Sequence, residues 1–199
     1  RFLATSFVYD NKGEEITGLA GVENRVPMPL AEMSELLKKA FIAHEDKYFY
    51  THHGFVFRRI LAAAYYDVTG GRFQGASTIT QQLARSAFLT MDQTITRKVQ
   101  ELILAIQFER IYTKEEILEM YLSGINLGHG AYGVEAASRN FFGKSSADLD
   151  LAEAALLCGI AKSPGYLTPY KNLEGAKKQQ KIVLSQMVEE GFVTQAEAD

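Results

Sequence analysis

The chain has 199 residues, 47% of them hydrophobic and 23% charged, with a formal net charge of -3 at pH 7. That apolar share suits one folded domain with a real core and excludes disorder, while the slightly acidic balance excludes the broad basic footprint of a nucleic-acid binder. The single cysteine, Cys158, excludes an internal disulfide framework; in the apolar run Ala154–Cys158 it reads as a buried, inert thiol. No run reaches the roughly 18–20 apolar residues that span a bilayer. The chain opens on Arg1 rather than Met, without a signal sequence, and reads as a piece excised from a longer protein.

Residues 5–18 alternate weakly around Asp10-Asn11-Lys12-Gly13, the pattern of a short hairpin. From Pro29 onward the periodicity is helical. Leu30, Met33, Leu36, Leu37, Ala40 and Phe41 fall on one helical face. An apolar run covers 55–68, and Gly70, Gly71 and Gly75 mark 69–76 as a flexible loop. Ser77–Leu89 opens with hydroxyl residues suited to an N-cap. Thr94 or Thr96 would cap Arg97–Ile111, and Thr113 with Glu116 forms a capping box for Lys114–Leu122. A glycine-rich connection leads to a helix over roughly 131–142. Asp148 or Asp150 opens Ala152–Ala161, Glu174–Glu190 is closed by Gly191, and Thr194 starts a short final turn. No Val/Ile-rich strands alternate with these helices, so the fold class is mainly α with a small N-terminal β hairpin.

Four segments carry candidate chemistry. Glu45–Gly54 packs Glu, Asp, two His and three aromatics into ten residues. A carboxylate among apolar rings loses hydration, which suits a base near neutral pH. A zinc-protease helix would need a second His at position 48, where Tyr48 stands. Ser77-Thr78-Ile79-Thr80-Gln81-Gln82 is an unusually polar helix start, apt for phosphate, and Arg85 shares its face. Arg97, Lys98 and Glu101 set two cations beside one carboxylate, a pattern for a pyrophosphate or a bridging metal. Gly128-His129-Gly130-Ala131-Tyr132-Gly133 has the dinucleotide-binding spacing, but a helix precedes it instead of a strand, so a tight turn is the better reading. Taken singly, each of the first three reads at least as well as ordinary structure: caps, ion pairs and packed rings.

Together they resemble the peptidoglycan glycosyltransferase domain of class A penicillin-binding proteins and of the related monofunctional enzymes. Glu45, Asp46, Phe49, His52 and Gly54 match that family's E-D-x-x-F-x-x-H-x-G. Gly75-Ala76-Ser77-Thr78-Ile79-Thr80-Gln81-Gln82-Leu83-Ala84-Arg85-Ser86 resembles G-G-S-T-I-T-Q-Q-L-x-K-N. Arg97, Lys98 and Glu101 match R-K-x-x-E. Lys114 with Ile117–Leu122, Gly128, Gly130, Gly133 and Phe142-Gly143-Lys144 resemble a fourth motif; Leu151–Leu157 with Ser163-Pro164 resemble a fifth. The five motifs run in order over nearly the whole chain.

The resemblance implies a lysozyme-like helical domain over residues 1–199, cut from a longer membrane-anchored protein on the extracytoplasmic face of the bacterial cytoplasmic membrane. It implies polymerisation of lipid II into β-1,4-linked glycan strands, with inversion and release of undecaprenyl pyrophosphate. It makes Glu45 the base on the acceptor hydroxyl and Glu101 the second essential carboxylate. It makes Asp46, His52, Ser77, Thr78, Gln82, Arg85, Arg97 and Lys98 substrate-binding residues, with Arg85 and Lys98 chiefly on phosphate. No dedicated metal site is implied, although a divalent cation, Mg or Mn, has a place at the pyrophosphate. The implied partners are lipid II, the growing glycan strand and a membrane surface met by residues 55–68, together with an N-terminal anchor outside the chain. The hairpin and Arg25–Leu30 resemble the bifunctional class more than the short one, which favours a transpeptidase domain after the chain. Ala76, Arg85-Ser86 and Ser123 depart from the usual Gly, Lys-Asn and Asn, and Met91 and Gln93 stand where relatives often carry charge. None of these removes a carboxylate. Two other functions stay open, a glycan-cleaving enzyme of the same broad fold and a non-catalytic lipid II-binding module. The cation-rich second and third segments argue against the former, and retention of both Glu45 and Glu101 against the latter.

Overall fold

A computed structural model describes residues 6–9, 15–19, 24–58, 62, 77–88 and 95–199. The chain divides into two compact units, a terminal one (residues 1–40 and 122–199) and a central one (residues 41–121). Two helices contribute to both: α1 (Glu35–Glu45) and α4 (Lys114–Gly124).

In the terminal unit, β1 (Ser6–Tyr9) and β2 (Glu15–Leu19) pair antiparallel, from Ser6 opposite Leu19 to Tyr9 opposite Glu15. This is the expected hairpin, and its turn at Asp10–Gly13 lies outside the described residues. The helix expected from Leu30 is interrupted. A 3-10 turn at Leu30–Glu32 ends at an extended Met33, and α1 begins only at Glu35. The cause is remote in sequence. Ser34 N–H donates to the Ser146 carbonyl (3.2 Å) and its hydroxyl to the Leu149 carbonyl (3.2 Å), which holds the chain out of helix at that point. A parallel pair that the sequence does not announce, β3 (Asn24–Arg25) with β4 (Ala131–Tyr132), joins the start of this unit to its glycine-rich turn.

That turn takes consecutive positive φ values at Gly128 (+81°), His129 (+55°) and Gly130 (+75°). A Cβ on Gly128 would stand 2.1 Å from the Pro164 carbonyl oxygen, and one on Gly133 2.5 Å from that of Ser123. The glycines therefore serve close backbone approach and a left-handed turn. Helix α5 (Val134–Phe142) follows, capped by left-handed Gly143. Asp150 and Glu153 form a reciprocal capping box, with both bonds at 2.9 Å, that opens α6 (Leu151–Ala161). Ala154, Ala155, Leu157, Cys158 and Ile160 of α6 are buried, as expected for Cys158. Gly159 lets α6 lie tightly on α7 (Leu173–Glu189), since a Cβ there would meet Gln179 Cβ at 3.0 Å. Gly191 in the left-handed region ends α7, and Thr194 with Glu197 caps α8 (Gln195–Ala198).

In the central unit, α2 (Ile79–Phe88) packs along α3 (Ile95–Ile111), around a core that includes Phe41, Phe49, Ile79, Leu83, Ala105, Ile117 and Leu118. Burying rings and branched chains of this size stabilises by about 1.5–3 kcal/mol each. Thr113 and Glu116 cap α4 as expected, each main-chain N–H donating to the other's side chain (2.8 and 3.2 Å). Helix α3 starts earlier than expected, which puts Thr96 inside its first turn, while Thr94 is outside the described residues. The flexible loop expected at 69–76 and most of the apolar run 55–68 also fall outside them. Of that run, Phe57 and Arg58 are helical and exposed. No helix among the described residues is long and apolar enough to cross a membrane.

Candidate active site

Glu45 is the last residue of α1 in the central unit. Its Oε2 accepts a 2.7 Å hydrogen bond from Gln82 Nε2 on α2, and Gln82 Oε1 in turn accepts from the Tyr121 hydroxyl at 3.3 Å. The two bonds fix which end of the amide faces the carboxylate. Tyr121 is itself held edge-on against Phe41, with centroids 6.0 Å apart. The second oxygen, Oε1, makes no hydrogen bond among the described residues; His44 Nε2 lies 3.9 Å away. The Glu45 side chain keeps 18% exposure. Glu45 thus has one oxygen anchored and one presented.

Asp46, the next residue, is fully buried. Its Oδ2 accepts from His52 Nε2 (2.7 Å) and from the main-chain N–H of Ile79 (3.0 Å), the first residue of α2. A carboxylate on a helix N-terminus meets free N–H donors and the positive end of the helix dipole. His52 Nδ1 accepts from Gly54 N–H (3.0 Å), which sets the ring tautomer with its proton on Nε2, toward Asp46. Thr78 caps α2 in a reciprocal box with Gln81 (2.9 and 3.1 Å), and its hydroxyl donates to the Gly54 carbonyl (2.7 Å). Gly54 has φ +93° and sits so close to α3 that a Cβ would meet the Ala105 carbonyl group at 3.0 Å. The 46–54 segment is therefore bolted to both helices. The resemblance puts Asp46, His52 and Thr78 among substrate-binding residues; all three are buried, and their polar contacts run to the main chain, to the Gln81 side chain and, for His52, to Asp46 and Lys114. They hold Glu45 and α2 in register.

The third motif gives a second cluster. Glu101 is fully buried on α3, and its Oε1 accepts from Lys98 Nζ at 2.6 Å. Lys98 also donates to Ser77 Oγ (2.8 Å), which ties the start of α2 to α3 while the lysine stays half exposed. Glu101 Oε2 is buried with no hydrogen-bond partner among the described residues. A buried carboxylate oxygen of that kind is costly unless something pairs with it. Arg97 lies one turn before Glu101 and is partly buried. Arg85 lies one turn beyond Gln81 and Gln82 and makes no ion pair among the described residues. No group of three or more His, Cys, Asp and Glu among the described residues is arranged to hold a metal.

Sequence reasoning missed one layer. Glu109 on α3 accepts from Thr80 Oγ1 (2.6 Å) and lies 2.8 Å from Lys114 Nζ through each of its oxygens. The Lys114 ammonium is 3.5 Å from His52 Nδ1 and 4.7 Å above the Phe49 ring. The 34-residue separation between Thr80 and Lys114 leaves no local signal; only the fourth-motif match of Lys114 points toward it. A cavity of about 590 Å³ opens beside this layer, lined by Tyr48, His52, Phe55, Val56, Phe57 and Arg58 among others. Its lining includes neither Glu45 nor Glu101, so it belongs to the apolar side of the 46–58 segment.

Comparison with known proteins bears on the same residues. The chain is 42% identical to Penicillin-binding protein 1F of Bacillus subtilis over 98% of its length, and 43% identical to Penicillin-binding protein 1A of Escherichia coli over 96%. It spans about a quarter of those relatives, 27% and 23% respectively. The crystal structure of Penicillin-binding protein 1A from Haemophilus influenzae shares the fold, with a TM-score of 0.53 at 23% identity over 98% of this chain and 19% of that one. A family profile described as Transglycosylase covers residues 12–188, a stretch that contains every motif residue named above. The chain belongs to the transglycosylase family.

Proposed function

We propose that this transglycosylase domain polymerises lipid II, joining disaccharide-peptide units into a β-1,4-linked glycan strand with inversion and release of undecaprenyl pyrophosphate. The observation that carries the reading is Glu45, with Oε2 anchored by Gln82 and Oε1 presented. In the proposed step, the acceptor sugar's 4-hydroxyl gives its proton to Glu45 Oε1. Its oxygen attacks the donor's anomeric carbon from the face opposite the pyrophosphate. The bond from that carbon to the pyrophosphate oxygen breaks, and the electron pair leaves with undecaprenyl pyrophosphate. One displacement inverts the centre and needs no sugar–enzyme bond. A positioned base contributes about 10²–10⁴-fold to such a step.

Arg85, Arg97 and Lys98 are the cations assigned to the departing pyrophosphate, where fixed charge lowers the barrier. Guanidinium groups suit phosphate because they bind it in bidentate fashion. Glu101 holds Lys98 and keeps Oε2 in reserve. A divalent cation, Mg or Mn, would find one protein oxygen there and the rest of its shell on phosphate and water, a usual arrangement for Mg. It would add neutralising charge beside the pyrophosphate. The exposed Phe57 and Arg58, next to the cavity of the 46–58 segment, suit a headgroup boundary, so the domain is assigned to the extracytoplasmic membrane face. The length of the relatives leaves room for a transpeptidase domain beyond this one.

The deciding experiment offers the protein lipid II and, separately, preformed peptidoglycan, each with Mg and with a chelator. Long glycan and undecaprenyl pyrophosphate should form from lipid II, and preformed strands should stay insoluble. Release of soluble fragments from preformed peptidoglycan, with no polymer from lipid II, would replace this reading with a cleaving enzyme.

A further inference from the structure

Two largely buried charges of the central unit, Glu109 (6% exposed) and Lys114 (17%), take no part in the proposed proton transfer. Stability alone does not call for them, because apolar chains of similar volume often replace a buried ion pair without loss. What they hold is more telling. Glu109 Oε1 accepts from the Thr80 hydroxyl at 2.6 Å, a short, charge-assisted bond. Lys114 Nζ lies 2.8 Å from each Glu109 oxygen and sits 4.7 Å above the Phe49 ring, so the cation that fixes the carboxylate is itself fixed.

Thr80 is fully buried in the first turn of α2. Gln82, two residues on, points about 200° further round that helix. Its amide donates to Glu45 Oε2 at 2.7 Å. The first turn of α2 is therefore held on opposite sides, by Glu109 through Thr80 and by Glu45 through Gln82. Asp46, on the Ile79 N–H, fixes the turn along its axis. Helix α4 serves both sides. Lys114 and Tyr121 stand seven positions apart, two turns of helix, and so share a face. Lys114 holds Glu109, and the Tyr121 hydroxyl donates to Gln82 Oε1 at 3.3 Å. A rotation of α2 that moves the amide off Glu45 has to break the Thr80–Glu109 bond. Misplacement of a reacting group by about 1 Å costs up to about 10²-fold in rate.

We propose that Glu109 is a positioning residue for the base: clamped by Lys114, it holds Thr80 and so sets the rotation of α2 that aims the Gln82 amide at Glu45. That this rotation governs proton transfer rests on the polymerase reading; that Glu109 holds α2 does not. Glu109 acts only through Thr80 and Gln82, so its loss lowers turnover and leaves the affinity for lipid II in place.

The test takes initial rates of polymerisation over a range of lipid II concentrations, expressed per folded molecule, together with the unfolding midpoint. Thr80→Val keeps the shape and removes the hydroxyl. Its kcat should fall about 10–100-fold, with KM within about twofold of the parent. Thr80→Ser keeps the hydroxyl and should return kcat to within about threefold of the parent. Glu109→Leu combined with Lys114→Met replaces the ion pair by apolar chains of similar size, so the midpoint should hold while kcat falls as in Thr80→Val. A merely structural pair would leave kcat per folded molecule at the parental level in both, and that result overturns the proposal. A rise in KM at constant kcat overturns it too, since it would make these side chains substrate contacts. Amide exchange in residues 79–82, followed without substrate, separates this account from the function. It should quicken about 3–10-fold in Thr80→Val and stay parental in Thr80→Ser. If the parent makes no polymer, the polymerase reading falls, and exchange alone decides whether Glu109 holds α2. If the parent polymerises and exchange is unchanged in Thr80→Val, the positioning role falls alone.

Discussion

In the terminal unit, α6 buries Ala154, Ala155, Leu157, Cys158 and Ile160 against α7, whereas the central unit gives Asp46, Thr78, Thr80, Gln81 and Glu101 some of its most buried positions. The first arrangement is stabilised by apolar area and tolerates change as long as volume is kept. The second depends on each polar group finding its partner in a setting where an unpaired one is costly. The polar interior is also the one next to Glu45, and it fixes where that carboxylate points. The contrast teaches that the same few kilocalories are at stake in both units, but only one couples them to chemistry.

The largest effect should come from breaking the polar interior. Asp46→Ala strands two buried donors, the His52 Nε2–H and the first N–H of α2, at about 1–3 kcal/mol each. Chemical denaturation should show the folded population falling, with activity lost along with it. Next comes an insult to the apolar packing of α6 on α7. Gly159→Val forces α6 off Gln179 and should cost about 1–3 kcal/mol by overpacking. Here the denaturation midpoint should drop, while turnover per folded molecule stays at the parental level. If turnover fell instead, the separation of stability from chemistry would be wrong. Tyr121→Phe removes one 3.3 Å bond to Gln82, and it should slow turnover by up to about 10-fold with little change in stability.

The smallest effect near neutral pH belongs to Glu135 on α5. Burial pushes its carboxyl pKa up, but hydrogen bonds from Ser146 and the Arg139 guanidinium outweigh this, and the pKa lies below the ordinary 4.5. A depressed carboxylate contributes stability above its unfolded value and loses it as pH falls through the folded one. Stability should therefore be flat near neutrality and decline below pH 4.5. Glu135→Gln should make that acid limb shallower.

Much of this was legible because the signals are local. Thr113 with Glu116, Asp150 with Glu153, and Thr194 with Glu197 each place a helix start within three residues, and each forms the reciprocal bonds that the spacing calls for. The motif residues Glu45, Gln82, Lys98 and Glu101 were legible as a set, but their pairing was not. Glu45 and Gln82 are 37 positions apart, and nothing along the chain says which amide end meets the carboxylate. The break before α1 was hidden for the same reason, because Ser34 answers to Ser146 and Leu149. Strands β3 and β4 are two residues long, too short for a period of two to register. Glu109 carried no motif and surfaced only through Thr80 and Lys114.

The central claim is that Glu45 takes the acceptor proton and is otherwise dispensable to the fold. The direct measurement is the rate of lipid II polymerisation by Glu45→Gln, taken with its thermal unfolding midpoint. The amide keeps a hydrogen-bond acceptor for Gln82 and loses the base. The rate should fall about 10²–10⁴-fold while the midpoint holds. A rate within a few fold of wild type, or a loss of rate matched by a loss of folded protein, would contradict it.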